Sequence, residues 1–459
     1  MSGDKIIRDP IYYDIHIRDS EISIIDTPEF QRLRNIKQTG LTYMVYPSAT
    51  HTRFEHSIGA MHIAGEVSKG LEGVDCNLIR IAALLHDIGH PPFSHSLEIR
   101  GYNHEYYTRK IVKKMEIENY SPKEVIDVLQ YKGPEGSLIG GDIDIDRIDY
   151  LLRDSYHTGV AYGSIDYNRL IRCIVLFEDN KPKLGILEKG VVAGESLLIA
   201  RYQMYSSVYM HPTSRISETM LKNAVIHGIE DGLFDVKDLS RMDDIDLIST
   251  LRNSEGEGNK LIKMLDRRKL FKNVLTVKYS ELSPYEKWIL INLREEEIRY
   301  IEEELSEKFG TTVFLDIPPY PKISEHRITV LAGERRYRLD EISPLAKNLK
   351  WAYMKSWDVR LYGPPDRYKE LREKIDSTQL KEILLQFRDR YMESPILDIL
   401  RKEDRIRGRG KLLSIVKGRG LSESEILNEL QKLIFSGLIR EEVVKVRGIY
   451  RYDYSALEG

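Results

Sequence analysis

Cysteine is almost missing from this chain: Cys76 and Cys173 are the only two in 459 residues. Two cysteines build no disulfide framework and suit a reducing compartment. Long apolar runs are missing as well. The apolar stretch at 79–85 falls far short of the roughly 20 residues that cross a bilayer. The opening Met-Ser-Gly-Asp-Lys-Ile-Ile-Arg lacks the apolar core of a secretion signal. Charge of one sign is not in surplus, since 69 Lys and Arg face 72 Asp and Glu for a net −3. A globally basic nucleic-acid binder is therefore not indicated, although a local patch is still allowed. Internal repeats and low-complexity segments are absent too. The expectation is a soluble, cytoplasmic protein without membrane contact. What is present is 41% hydrophobic residues, enough for a large core, over a length that implies two or three domains. The 31% of charged residues, with so little cysteine, leans towards a thermophile.

Read along the chain, residues 6–25 are strand-like and broken at Pro10. Asp26-Thr27-Pro28-Glu29 is a helix-start signature, and a helix is predicted over 30–37. Further helices are predicted over 54–68, 77–87 and 103–115, and from Asp144 through His157. The one at 77–87 is apolar nearly all round, which marks a central core helix ended by Gly89, Pro91 and Pro92. Residues 171–186 read as a hairpin around Asp179-Asn180-Lys181-Pro182, and 193–226 as a long helical stretch with Arg201, Tyr205 and Tyr209. The middle, 235–312, reads as charged helix, and 313–361 as short β segments such as Arg327 to Leu331. Past Ser394, a helix capped by Ser422 and two strand-like runs, 441–446 and 449–454, outline a winged helix.

One ordered set of residues has no packing explanation. His56 is followed 30 positions later by the pair His86-Asp87, and Asp146 comes 59 positions after that. Each falls at the end of a predicted helix. Two imidazoles and two carboxylates make a site for a divalent or first-row transition metal, such as Mg, Mn, Fe, Zn or Ni. Four ligands from three helices leave coordination positions open for water and substrate, as a catalytic metal requires. The ordinary alternative is a His-Asp pair that satisfies itself and an Asp that caps a helix. Arg53 and Arg147 lie three and one residues from proposed ligands. With Arg201 they offer guanidinium groups suited to phosphate. Imidazole titrates near working pH, so His90, His95 and His104 are candidates to protonate a leaving group.

Together Phe30 to Gln38, Arg53 to Ser57, Leu85 to His90, Pro92 to His95 and Arg153-Asp154 resemble the HD-domain phosphohydrolases, in their deoxynucleoside triphosphate triphosphohydrolase branch. The likeness is strongest to the mammalian members that also carry a sterile-alpha-motif segment, which is not seen here. It covers roughly residues 1–375. The resemblance implies metal-dependent cleavage of dNTPs to deoxynucleoside and inorganic triphosphate. It implies His95 as the acid at the 5′ oxygen, Glu98 behind it, His104 assisting and His90 at the α-phosphate. It implies Gln38, Tyr150 and Asp154 at the deoxyribose and Tyr209 where a 2′-hydroxyl would clash, with Arg53, Arg147, Arg201 and Tyr205 completing the substrate site. It also implies a guanine-nucleotide activator (GTP or dGTP) read by Asp26, Gln31, Arg34 and Lys5, and a homo-oligomer, dimer or tetramer. Arg8 departs from this pattern, since an Asn is expected there. The bland reading is that Asp26 caps a helix and Arg34 pairs with a neighbour one turn away.

The expected fold is mainly α: an HD helical core over 1–312 with its metal motifs at 51–157, an α+β lobe over 313–393, and a winged-helix-like module over 394–459. Arg405, Arg407, Arg409, Lys411, Lys417 and Arg419 lead into that module, and nucleic-acid contact is one expectation for them. Two other functions remain open. One is a different HD phosphohydrolase or phosphodiesterase, acting on nucleoside monophosphates, cyclic nucleotides or single-stranded nucleic-acid ends. The other is a nucleotide-sensing, DNA-binding regulator.

Overall fold

The computed structural model describes residues 5–141, 143–179, 181–321, 328–391, 394–403, 405–418, 420–446 and 449–457. Asn180, Arg327 and Arg419 lie outside these. The fold is mainly helical with small sheets, as expected, and divides into two compact units. The first comprises Met1–Leu270 and Glu325–Leu349, the second Phe271–Ser324 and Lys350–Gly459. These units run along other lines than the three segments expected from sequence. No helix of the described residues is long and apolar enough to cross a membrane.

The first unit opens with the antiparallel hairpin of β1 (Lys5–Asp9) and β2 (Tyr13–Ile17). Residues Asp19–Ile25, read from sequence as strand-like, are helical. The helix predicted over 30–37 is a single α turn, Pro28–Gln31, continuing as a 3-10 turn, Arg32–Asn35. Thr27, not Asp26, caps it, accepting from Phe30 N. Four helices then frame the interior: α1 (Arg53–Ser68), α2 (Cys76–Leu85), α3 (His104–Val112) and α4 (Ile145–Thr158). α1 starts at a capping box between Thr52 and Glu55, and α4 at the Asp144 side chain, which accepts from Arg147 N. Ile58, Met61, Ile81, Leu84, Ile148 and Leu151 from α1, α2 and α4 form one buried cluster, which fixes the helix ends relative to each other. The long helical stretch beyond is broken: α5 (Val191–Met204) ends in a π turn, Tyr205–Tyr209, before a helix over Pro212–Glu230 and α6 (Asp244–Arg252). β3 (Ile174–Asp179) and β4 (Lys181–Leu187) pair as the predicted hairpin, and β4 runs parallel to β7 (Thr329–Ala332), which pairs with β8 (Arg335–Arg338).

In the second unit β5 (Lys272–Lys278), β9 (Asp358–Gly363) and β6 (Phe314–Asp316) form an antiparallel sheet in the order β5-β9-β6. Its first strand falls inside the stretch that the charge pattern marks as helix. The C-terminal part follows the order helix Pro395–Glu403, β10 (Ile406–Arg407), helices Arg409–Lys417 and Glu423–Ser436, β11 (Ile439–Val446) and β12 (Ile449–Ala456). Its strands lie in the order β10-β12-β11, the winged-helix arrangement anticipated from sequence, with the Ser422 capping box in place.

Where α1 crosses α4, Gly59 faces the carboxylate of Asp149 and the guanidinium of Arg153, and a Cβ there would overlap both. Gly59→Ala is expected to lower stability by about 3 kcal/mol or more in urea unfolding. A loss under about 1 kcal/mol would mean that the crossing has room to spare.

Candidate functional site

Four side chains meet where three helix ends converge. His56 lies in the first turn of α1, His86 and Asp87 at the end of α2, and Asp146 in the first turn of α4. His56 Nε2 is 3.0 Å from Asp146 Oδ1, 3.3 Å from His86 Nε2 and 3.4 Å from Asp87 Oδ2. His86 Nε2 is 3.4 Å from Asp87 Oδ1 and 3.6 Å from Asp146 Oδ1. Ligand atoms held about 2.1 Å from one ion stand roughly 3.0 to 3.4 Å apart, so these spacings suit a single small cation.

The far side of each imidazole is already committed. His56 Nδ1–H donates to Asp149 Oδ2 at 2.8 Å, and His86 Nδ1–H to the Ala83 carbonyl at 2.7 Å. Both Nε2 lone pairs therefore face the cluster, the tautomer a metal needs. The donor set thus fits a metal ion. Burial alone would lower the His56 imidazole, but the hydrogen bonds to Asp146 and Asp149 outweigh it and push it up to about 10.

Asp87 is held from two sides. Arg53 Nη1 donates to its Oδ2, and His90 Nε2 lies 3.2 Å from its Oδ1. Arg53 Nε also donates to Ser94 Oγ at 2.9 Å, and that hydroxyl donates to the Lys37 carbonyl at 2.7 Å. These contacts pin a strained loop. Phe93 and Ser94 adopt left-handed φ angles of 55° and 59°, which cost side-chain-bearing residues about 1–3 kcal/mol each. Asp244, from the start of α6, holds the loop, accepting from Phe93 N at 2.7 Å and from Lys37 N at 3.1 Å. Burial pushes the Asp244 carboxyl up to about 6, with the Lys37 ammonium opposing.

The strained loop delivers His95, which is exposed, to the edge of the cluster. Glu98 accepts from His95 Nδ1 at 3.0 Å and from His104 Nδ1. The His90 ring stacks on that of His104, centroids 4.0 Å apart and 13° between planes, and stands edge-on to His95. Burial, with the Arg53 and His104 charges, holds His90 well below the ordinary imidazole range. His90, His95 and His104 are close enough to share a metal. However, stacked rings direct their in-plane lone pairs side by side rather than at one point, and Glu98 orients two of the three, so the trio is better built for moving a proton.

The predicted substrate residues divide. Arg147 is buried and lies 3.4 Å from Asp144 Oδ2. Tyr150 lies beside Arg201 and Arg147, whose charges oppose the upward push of burial on its hydroxyl. Asp154 is buried and bonded to Tyr209 Oη at 2.6 Å. Gln38 is also buried, and its Oε1 has no hydrogen-bond partner among the described residues. Tyr205 is buried in the π turn. Of the proposed activator residues, Gln31 and Arg34 touch, Arg34 Nε donating to Gln31 Oε1 at 2.8 Å, with the guanidinium 3.6 Å from the centre of the Phe54 ring. That is the one-turn pairing anticipated as the bland reading. Asp26 and Lys5 are exposed. Arg8, the departure from the family pattern, pairs with Asp14 across the β1–β2 hairpin at 2.7 Å.

Several participants were given no site role in the sequence reading. Asp149 orients His56, and the buried Arg153 bonds both Asp149 and Asp9, at 2.9 and 2.8 Å. His51 bonds Asp154, and His157 stacks on His51. The i, i+4 spacing of Asp149 and Arg153 on α4 was the available signal. Nothing local marks His51 or Asp244.

Residues 53–154 match the HD domain family and residues 165–384 the family described as HD associated region. An uncharacterized protein of Methanocaldococcus jannaschii is 52% identical over 447 residues, covering 97% of this chain and 98% of that one. A Dictyostelium discoideum protein named deoxynucleoside triphosphate triphosphohydrolase SAMHD1 homolog is 31% identical over 311 residues, or 59% of this chain, and the match spans 60% of its own length. The crystal structure of a phosphohydrolase from Bacteroides thetaiotaomicron superposes with a TM-score of 0.63 at 27% identity, covering 78% of this chain and 98% of that one.

The carboxylates around His56 raise its imidazole, so protons compete with a metal for these donors and metal uptake releases protons. Titration calorimetry with Mn²⁺ in buffers of different ionisation heat should show protons released as the ion binds, and affinity rising with pH. A heat independent of buffer would contradict this account of the cluster.

Proposed function

The chain belongs to the HD-domain family, with an HD-associated region following the HD domain, and on that premise we propose that it hydrolyses dNTPs to deoxynucleoside and inorganic triphosphate. The observation that carries the reading is the order of groups along α4. Asp146 belongs to the metal cluster, Arg147 follows it, Tyr150 is one turn on and Asp154 another. At 1.5 Å per residue the helix covers about 12 Å from Asp146 to Asp154, a span suited to a phosphate at one end and a sugar at the other. The name of the Dictyostelium discoideum relative supports the same substrate class.

A metal at His56, His86, Asp87 and Asp146 would polarise the phosphate and activate water. The chain's own groups do the rest. Arg53, Arg147 and Arg201 supply charge for the triphosphate. Tyr150 offers a face to the sugar, Gln38 and Asp154 its hydrogen-bond acceptors, and Tyr209 bounds the space beside them. His95, with Nδ1 held by Glu98, presents Nε2 to the leaving group. Water adds to the α-phosphorus, the bond to the 5′ oxygen breaks, and His95 delivers the proton that this oxygen needs, with His104 able to share the charge through Glu98. His90 would contact the α-phosphate.

The decisive measurement is incubation of the purified protein with each dNTP and rNTP plus Mg²⁺ or Mn²⁺, with products separated by anion exchange. Inorganic triphosphate from dNTPs is expected. Pyrophosphate or orthophosphate, or no turnover with any metal and with GTP or dGTP added, rejects the reading. Asp146→Ala should abolish turnover with little change in melting, and His95→Asn should lower kcat by about 10²- to 10⁴-fold.

A guanine-nucleotide activator read by Asp26, Gln31, Arg34 and Lys5, bridging copies of the chain, belongs to the same proposal. Arg34 donates to Gln31 in the structure, so a bound guanine would have to share or displace that pair. Sedimentation with dGTP should show a larger assembly, and an unchanged mass with unchanged activity counts against it.

A further inference from the structure

Asp154 is buried, and protein groups already hold both of its carboxylate oxygens: His51 Nε2 lies 2.7 Å from Oδ1 and the Tyr209 hydroxyl 2.6 Å from Oδ2. A carboxylate only accepts, so His51 carries its proton on Nε2. The ring cannot swing away, because it is buried and stacked on His157, with centroids 4.5 Å apart and 16° between planes. His51 Nδ1 has no hydrogen-bond partner among the described residues, and neither has Gln38 Oε1.

These two atoms belong to residues that oppose each other. Gln38 N donates to the His51 carbonyl at 3.0 Å, beside the antiparallel bridge of Lys37 and Thr52. Opposed residues of such a ladder send their side chains to the same face. Buried acceptors without a donor are uncommon in folded proteins, and two on one face point to a ligand that donates. A sugar hydroxyl is such a donor.

We propose that His51 is a positioning residue that makes the site selective for a 3′-hydroxyl. Its Nε2–H locks the Asp154 carboxylate, which keeps a lone pair on each oxygen, in the orientation that receives this hydroxyl. The proposal rests on the reading of the site as one for deoxynucleotides. Without His51 the Asp154 carboxylate is tethered only through Tyr209, and its free rotation disperses the acceptor direction. Substrates that lack the 3′-hydroxyl never used that direction and lose nothing.

The test compares dATP with 2′,3′-dideoxyATP in the full-length protein with Mn²⁺, for the wild type, His51→Ala and His51→Gln. For His51→Ala, kcat/KM for dATP is expected to fall about 10- to 100-fold while that for the dideoxy substrate stays within about threefold. His51→Gln, whose amide N–H reaches Asp154 as Nε2–H does, should restore most of the discrimination. Equal loss for both substrates, or loss for neither, in a variant that melts like the wild type overturns the role of His51 and leaves the deoxynucleotide reading standing. A wild type that turns over neither substrate overturns both. If His51→Ala does not fold, His51→Gln and His51→Asn decide. The Asn amide overlays Nδ1 rather than Nε2, so discrimination must survive in Gln and not in Asn, and equal behaviour of the two refutes the proposal.

Discussion

At the centre of the first unit one carboxylate, Asp149, holds the imidazole of His56 and the guanidinium of Arg153 together. Burial would raise that carboxyl, but Arg153 and His56 hold it at about 2, so it stays an anion under all ordinary conditions. Its charge fixes the His56 tautomer and hence which nitrogen faces the metal cluster. Arg153 passes the constraint on to Asp9, at the end of the first hairpin. α1, α4 and the N-terminal hairpin are thereby tied to one ion network. Removing any member would leave a buried charge uncompensated, a defect worth several kcal/mol. Gly59 is the steric condition for this network, since only a residue without a Cβ lets Asp149 and Arg153 come so close to α1.

The site places two electrostatic regimes side by side. On the metal side acids and imidazoles converge with their far atoms satisfied, so the cluster gains by taking up a cation. On the side proposed for the substrate, Arg53 and Arg147 pair with acids of their own. Arg53 belongs to both, bonding the ligand Asp87 and the loop residue Ser94. A change of charge at the metal is therefore felt directly by the loop that carries His95.

Much of this was legible in the sequence. The helices that carry metal donors have strong periodicity and explicit caps, and their predicted bounds lie within about two residues of the observed ones. The convergence of these four side chains was legible because His-Asp at a helix end, with partners at two other helix starts, has no packing purpose. The misread segments have physical reasons too. Asp19–Ile25 packs one side of a short helix, and alternation over so few residues does not separate helix from strand. β5 is a strand because β9 supplies its partner more than 80 residues later, which no local window contains. His51, Asp149 and Asp244 were missed for one reason: each acts on a partner distant in sequence, at 103, 93 and 151 positions respectively.

Asp244 has a wider implication. It lies 90 residues beyond the last residue matched to the HD domain, inside the HD-associated region, yet it holds the backbone of Phe93 and Lys37. The sequence families part at 154 and 165, but the loop that carries His95 is braced from across that line. The HD segment is therefore not a portable cassette. Cut free, it would leave Phe93 N without its acceptor and the left-handed pair of residues held by Arg53 alone. The two regions depend on each other for this loop, and a chimera that joins the HD domain of one relative to the associated region of another inherits the chemistry only if the brace at position 244 comes with it.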